Sequence, residues 1–192
     1  MSKLFISAII FLLSTTSVFA SDIEPASLSK KKISSAGLYV DATGAHLMKQ
    51  QMGDKALFVD LRTHGEIYAL GTAEGIDATV EYEKLSDTFD SKKHNFKRQS
   101  NPDFLASMDK LVSAKGLDKN STIILMCRSG KRSAKAASLM YKAGYTKVYT
   151  VVDGFEGDKS HDVATKGQRV VNGWKNAGLP WSYKLSEKAS IN

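Results

Sequence analysis

The residues best suited to chemistry lie in one short stretch, Leu125-Met126-Cys127-Arg128-Ser129-Gly130-Lys131-Arg132-Ser133-Ala134. Cys127 is the single cysteine of a 192-residue chain. An internal disulfide, a CxxC redox pair and a cysteine-rich zinc site are all ruled out. A lone thiol is either an inert piece of core or a nucleophile, and its surroundings decide which. The apolar run ahead of it ends at Met126, and a helix is expected over Ser133–Ala143. The cysteine therefore leaves a buried strand into a short loop. Successive backbone N–H groups in such a loop form an anion-binding nest. The helix start adds unpaired N–H groups and its positive dipole end. Gly130 permits the backbone angles of a tight cradle, and Arg128, Lys131 and Arg132 bring three formal positive charges. Each of these favours thiolate over thiol, and so nucleophilic sulfur chemistry.

Strands and helices must position this loop. Thr122-Ile123-Ile124-Leu125-Met126 and Ala56-Leu57-Phe58-Val59-Asp60-Leu61 are nearly continuous apolar runs and read as strands buried on both faces. Leu38 to Val40, Ile76 to Val80 and Lys147 to Val152 are three further strand candidates. Helices are expected over Ala42–Met52, over Gly65–Leu70, from Asn101 or Asp103 to Ala114, and over about Gln168–Asn176. In the helix over Ser133–Ala143, Ala134, Ala137, Met140 and Tyr141 share a face. Strands alternating with helices predict an α/β fold, three layers deep, around a mostly parallel sheet of about five strands. Ligands of such sheets sit at the carboxyl ends of the strands, where Asp60, Arg62 and Cys127 all fall. Residues 81–102, with Lys92, Lys93, Lys97 and Arg98, read as a solvated, irregular insertion, and 156–168 as a second polar stretch.

The chain opens with Met1-Ser2-Lys3, an apolar run from Leu4 to Leu13, and small residues ending at Ala20. This pattern predicts a secretory signal peptide cut after Ala20, too short to span a membrane. The expected organisation is a signal peptide (1–20), a loose polar leader (21–33), one domain (34–183) and a tail (184–192). A periplasmic location follows from that reading, with no membrane span after cleavage. Hydrophobic residues at 42% and charged residues at 24% exclude a disordered chain or a fibre. The formal charge of +7 favours anionic partners or substrates. Nucleic acid is not expected among them, because basic and aromatic residues do not interleave. His46, His64, His94 and His161 show no metal-ligand spacing, so no metal site is expected.

The chain resembles the rhodanese, or sulfurtransferase, superfamily. Phe58-Val59-Asp60-Leu61-Arg62-Thr63-His64-Gly65-Glu66-Ile67 is similar to its DxR…E(Y/F) strand and helix. Gly71 to Ile76 is similar to a degenerate form of its GHIPGA turn. Cys127 to Ser133 matches the CRxGxRS/T loop, the most specific element. Ala143 to Phe155 resembles AGYxxVYxLxGGF, and Trp174 to Pro180 the closing helix and exit. The likeness spans roughly residues 34–182. Thr72 stands where the family has histidine, and Asp153 where it has glycine.

The resemblance implies a rhodanese-like domain and a thiosulfate sulfurtransferase. Cys127 would be the nucleophile and would carry a persulfide, with no resident cofactor. Arg128, Ser129, Gly130, Lys131, Arg132 and Ser133 would bind the donor, and Ser133 would also cap the helix. Asp60 and Arg62 would support the loop as a salt-bridged pair. The expected partners are a small anionic sulfur donor such as thiosulfate and a thiol, cyanide or protein acceptor. A non-enzymatic sulfur carrier or partner-binding module is the alternative reading. The phosphatase and arsenate-reductase relatives need Cys-x5-Arg. Here the arginine at 132 gives Cys-x4-Arg, a ring smaller by one residue that suits a persulfide better than a phosphate.

Overall fold

Side chains that alternate between two faces set the core of the protein. The structure is a computed structural model that describes residues 23–185. The signal peptide expected over residues 1–20 lies outside the described residues, as do the last seven positions of the tail. The elements run β1 (Leu38–Val40), α1 (Ala42–Met52), β2 (Ala56–Asp60), α2 (His64–Leu70), β3 (Thr72–Ala73), β4 (Ala78–Thr79), β5 (Glu83–Asp90), β6 (Asn95–Ser100), α3 (Phe104–Ala114), β7 (Thr122–Met126), α4 (Lys131–Lys142), β8 (Val148–Val151) and β9 (Trp181–Ser182). Five strands form one sheet in the order β1-β8-β7-β2-β4, and every pairing in it is parallel.

The period of two runs through both central strands. Leu57 and Val59 of β2, with Ile123 and Leu125 of β7, pack against Phe104, Met108 and Val112 of α3 and Ala136, Ala137 and Met140 of α4. Ala56 and Phe58, with Ile124 and Met126, face Ala42, Ala45 and Met48 of α1 and the buried Trp174. Helices thus cover both faces, as the three-layer α/β/α reading expects. The same alternation carries past the end of β7 and puts Cys127 on the α3/α4 side.

Several local expectations change. Residues 81–102 are not irregular: β5 and β6 pair as an antiparallel hairpin. Its exposed strands bury no face, so no alternation marks them. The hairpin is held instead by cross-strand contacts such as Phe89 against Phe96, ring centroids 6.0 Å apart, and by Asp90, whose carboxylate accepts from the Lys92 and Lys93 N–H groups at the turn. The strand expected over Ile76–Val80 pairs only at Ala78 and Thr79. No helix forms over Gln168–Asn176. Gly173, at φ +98°, breaks the helical path, and the Asp153 carboxylate accepts from its N–H. The leader is partly ordered, because Lys30–Lys32 makes a 3-10 turn and Lys32 is buried in an ion pair with Asp158. Tyr141 lies on the exposed side of α4, and Ala136 takes the core position.

Candidate active site

The carboxyl edge of the sheet gathers the ends of β1, β2, β7 and β8. Cys127 follows the last residue of β7 and is 1% exposed. Three residues later Gly130 caps α4, at φ +84° in the left-handed region. The helix therefore starts at Lys131, earlier than the sequence suggests, and Arg132 and Ser133 lie in its first turn. Ser133 is not the cap. Its hydroxyl lies 3.7 Å from the Cys127 Sγ, donates to the Gly130 carbonyl at 3.0 Å and accepts from Thr150 Oγ1 at 2.8 Å. None of the backbone N–H groups from Arg128 through Ser133 donates to a protein acceptor among the described residues. The five residues of that run other than Lys131 are at most partly exposed, with Ser129, Gly130, Arg132 and Ser133 buried. Six consecutive donors next to a thiol at a helix start are an anion-binding arrangement.

The loop is clamped from one side by the segment after β8. The Phe155 N–H donates to the Cys127 carbonyl at 2.8 Å, and the Glu156 N–H to the Arg128 carbonyl at 3.0 Å. A Cβ on Gly130 would lie 2.0 Å from the Val152 carbonyl oxygen, and one on Gly154 would lie 2.5 Å from that of Cys127. Glycine at both positions is what lets the two backbones meet. Asp153 ties this segment further. Its two carboxylate oxygens accept from the N–H groups of Ala42, at 2.9 Å, and Gly173, at 3.0 Å. Burial, and then the nearby Asp41 charge, push the Asp153 carboxyl up to about 6.

The cations of the loop are engaged by acids that the sequence reading left without a role. Arg132 donates through both terminal nitrogens to Glu66 of α2, each at 2.7 Å. Burial alone would raise the Glu66 carboxyl, but the Arg132 fork outweighs it and brings it down to about 2. The same contact holds Arg132 above the usual arginine range against its own burial. Glu66 also completes a capping box with Thr63 at the start of α2, and Arg98 of the hairpin approaches it at 3.7 Å. The spacing Thr63-x-x-Glu66 is a readable capping signal. Nothing local marks its partner across the fold. Arg128 pairs through Nε with Glu156. Lys131 alone points to solvent without an ion-pair partner among the described residues.

Asp60 and Arg62 are fully buried and form the expected pair. Arg62 Nη2 donates to Asp60 Oδ2 at 2.6 Å and to the Gly71 carbonyl at 2.8 Å, and its guanidinium lies 4.0 Å from the Phe155 ring centroid. The pair thus ties β2 to the glycine turn and to the segment that clamps the cysteine loop. At 0% exposure Arg62 has no surface to offer a ligand. Arg169, which sequence reasoning did not mark, donates through Nη1 to the Gly157 carbonyl, and burial and then the nearby Arg128 charge push its guanidinium below the usual arginine range. No helix of the described residues is long and apolar enough to cross a membrane.

Comparison with known proteins bears on this arrangement. The family model for the rhodanese-like domain matches residues 44–161. An uncharacterized protein of Rickettsia conorii is 31% identical over 130 residues, covering 68% of this chain and 85% of its own. The chloroplastic rhodanese-like domain-containing protein 11 of Arabidopsis thaliana is 39% identical over 49 residues, 26% of this chain and 17% of its own. Among solved structures, Rv0390 from M. tuberculosis superposes with a TM-score of 0.55 at 29% identity, over 76% of this chain and 97% of its own.

Proposed function

The chain belongs to the rhodanese-like domain family, which ties it to sulfur transfer, and from that premise we propose that it is a thiosulfate-type sulfurtransferase with Cys127 as nucleophile. The observation that supports this most directly is the run of unspent N–H groups from Arg128 to Ser133 beside the lone cysteine. In the proposed reaction these donors and the start of α4 stabilise the Cys127 thiolate and then its persulfide. The thiolate attacks the outer sulfur of the donor. The bond between the two donor sulfurs breaks, and sulfite leaves with the electron pair. A thiolate acceptor or cyanide then attacks the terminal sulfur of the persulfide and releases the Cys127 thiolate. This is covalent catalysis with ping-pong kinetics.

The roles divide by position. Ser129, Gly130 and Ser133 contribute backbone donors, and the Ser133 hydroxyl adds a polar neighbour to the sulfur. Arg128, Lys131 and Arg132 supply positive potential, two of them as members of ion pairs rather than as free arms. Asp60 and Arg62 are positioning residues. The signal-peptide pattern at 1–20 supports export to the periplasm, where a lone thiol depends on an outside reductant after oxidation.

One observation favours a second reading: Cys127 is 1% exposed, as in a structural module whose thiol does no chemistry. Mass spectrometry of the full chain after incubation with thiosulfate separates the two. The wild type is expected to gain one sulfur atom on Cys127, to lose it on addition of cyanide, and to turn over repeatedly with both. Cys127→Ser is expected to do none of these. An unmodified wild-type Cys127 would sink the enzyme reading and leave the module.

A further inference from the structure

The segment from Lys159 to Arg169 closes on itself. Lys159 and Arg169 pair as an antiparallel bridge. The Ser160 N–H donates to the Gln168 carbonyl at 2.7 Å, and the Gly167 N–H to the Ser160 carbonyl at 2.9 Å. The buried Ser160 hydroxyl accepts from the Asp162 N–H and from Thr165 Oγ1. A 3-10 turn over Val163–Thr165 forms the tip, where Val163 is 98% exposed. Val170 and Val171 at the foot of the loop, and Ile33 of the leader, are exposed as well. A loop fixed by its own hydrogen bonds thus holds an apolar side chain in water, where the fold gains nothing from it.

Cations surround these residues. Lys159 and Lys166 lie on the loop, and Lys30 and Lys31 on the 3-10 turn of the leader. All four are exposed and have no ion-pair partner among the described residues. Loop and leader meet across a cleft of about 690 Å³, with Ser27, Ser29 and Lys32 on one side and Lys159, His161 and Arg169 on the other. Asp158 in this cleft is paired with Lys32, and Arg169 Nε is buried with no hydrogen-bond partner among the described residues. The exposed acids nearby are Glu24 and Asp162. An apolar tip among unpaired lysines is the pattern of a surface that meets anionic lipid. The chain also enters the domain here, since Pro25–Ser27 leads straight into the cleft wall. A membrane-inserted run at Leu4–Leu13 would hold this face toward the bilayer.

We propose that this face docks on an anionic phospholipid bilayer, with Val163 at the headgroup boundary, the lysines among the surrounding phosphates and one headgroup phosphate in the cleft beside Arg169. Docking involves no step of sulfur transfer, so it stands or falls apart from the persulfide reading. Val163, Lys166 and Arg169 lie beyond the matched family segment, which ends at residue 161, so the surface belongs to this chain's own closing loop.

The test uses the chain from Ser21, the form that cleavage after Ala20 leaves, which contains both core clusters. It is sedimented with vesicles of phosphatidylcholine alone, or with about one third phosphatidylglycerol, at about 0.1 M salt. A cation close to an anionic surface is worth about fivefold in affinity. The mixed vesicles should therefore bind at least about tenfold more tightly than the neutral ones. The triple variant Lys31→Glu, Lys159→Glu, Lys166→Glu should weaken that binding by about a hundredfold, and Val163→Ser by about threefold or more. A second triple variant, Lys55→Glu, Lys115→Glu, Lys147→Glu, makes the same charge change at the opposite, amino edge of the sheet. It should stay within about threefold of the wild type, because charges beyond a Debye length are screened. All the substituted residues are exposed, so the variants keep the fold, and the thermal midpoint checks this. Equal binding to both kinds of vesicle, binding that survives the first triple variant or Val163→Ser, or an equal loss in the amino-edge variant would overturn the proposal. Release from the vesicles by millimolar inorganic phosphate would assign the cleft to a free anion and overturn it as well.

Discussion

At the scale of single residues, two acids hold the site. Glu66 serves three tasks with one carboxylate: it closes a capping box, forks onto Arg132 and receives Arg98. Replacing one member of a buried pair leaves the other charge stranded. Glu66→Gln should therefore cost roughly 3 kcal/mol, the low end for such losses, because the amide keeps one acceptor. Urea unfolding of variant and wild type measures this, and sulfur transfer should fall as the first turn of α4 loosens. Asp153 is the pH-sensitive acid. Its folded value of about 6 lies above the ordinary 3.8, so between those values the folded chain holds a proton that the unfolded chain has released. The contribution to stability is complete below about pH 4 and declines as pH rises toward 6. Relative to Asp153→Asn, the wild type should lose up to about 3 kcal/mol across that window, at about 1.4 kcal/mol per unit. Denaturant titrations at a series of pH values test it, and parallel curves for the two proteins would refute it. The lost acceptor in the variant adds only a constant offset.

At the scale of elements, the meeting of the loop after β7 with the segment after β8 is the decisive contact. It depends on Gly130 and Gly154, each at positive φ and each without room for a Cβ. Gly130→Ala adds left-handed strain of about 1–2 kcal/mol and a collision with backbone that cannot swing aside. The expected result is a large fall in thermal midpoint together with loss of persulfide formation in whatever fraction folds. A variant that keeps both would show that the loop needs no such close approach. The β5–β6 hairpin works differently. It buries no face of its own and meets the site through Arg98, which approaches Glu66.

At the scale of the whole molecule, a chain of formal charge +7 would handle an anionic donor. The cations nearest the thiol are largely neutralised by Glu66 and Glu156, so attraction of the donor must come from the wider positive field and from the free amides. Such a field is screened by salt, with a Debye length of about 10 Å at 0.1 M. The kcat/KM for thiosulfate should fall by about threefold to tenfold as sodium chloride rises from about 0.05 M to about 0.5 M. The kcat at saturating donor should move far less. A salt-independent kcat/KM would place the attraction in the buried loop alone.

The sequence by itself determined the layered α/β fold, because continuous apolar runs and helical periodicity are local signals. It determined the cysteine loop as well, since a lone cysteine between a buried strand and a helix, followed by Arg128-Ser129-Gly130, is legible within ten residues. The hairpin at 81–102 was not legible, because strands without a buried face carry no alternation. The helix expected near Gln168 failed because Gly173 is held by an acid from another part of the chain. Only the tertiary structure decided that Arg132 answers to Glu66, 66 residues away, that Asp153 joins β8 to α1 and to the Gly173 turn, and that Arg128 pairs with Glu156. Those choices depend on which strand ends the parallel sheet brings to one edge, and no local spacing encodes a distance set by the packing of the whole core.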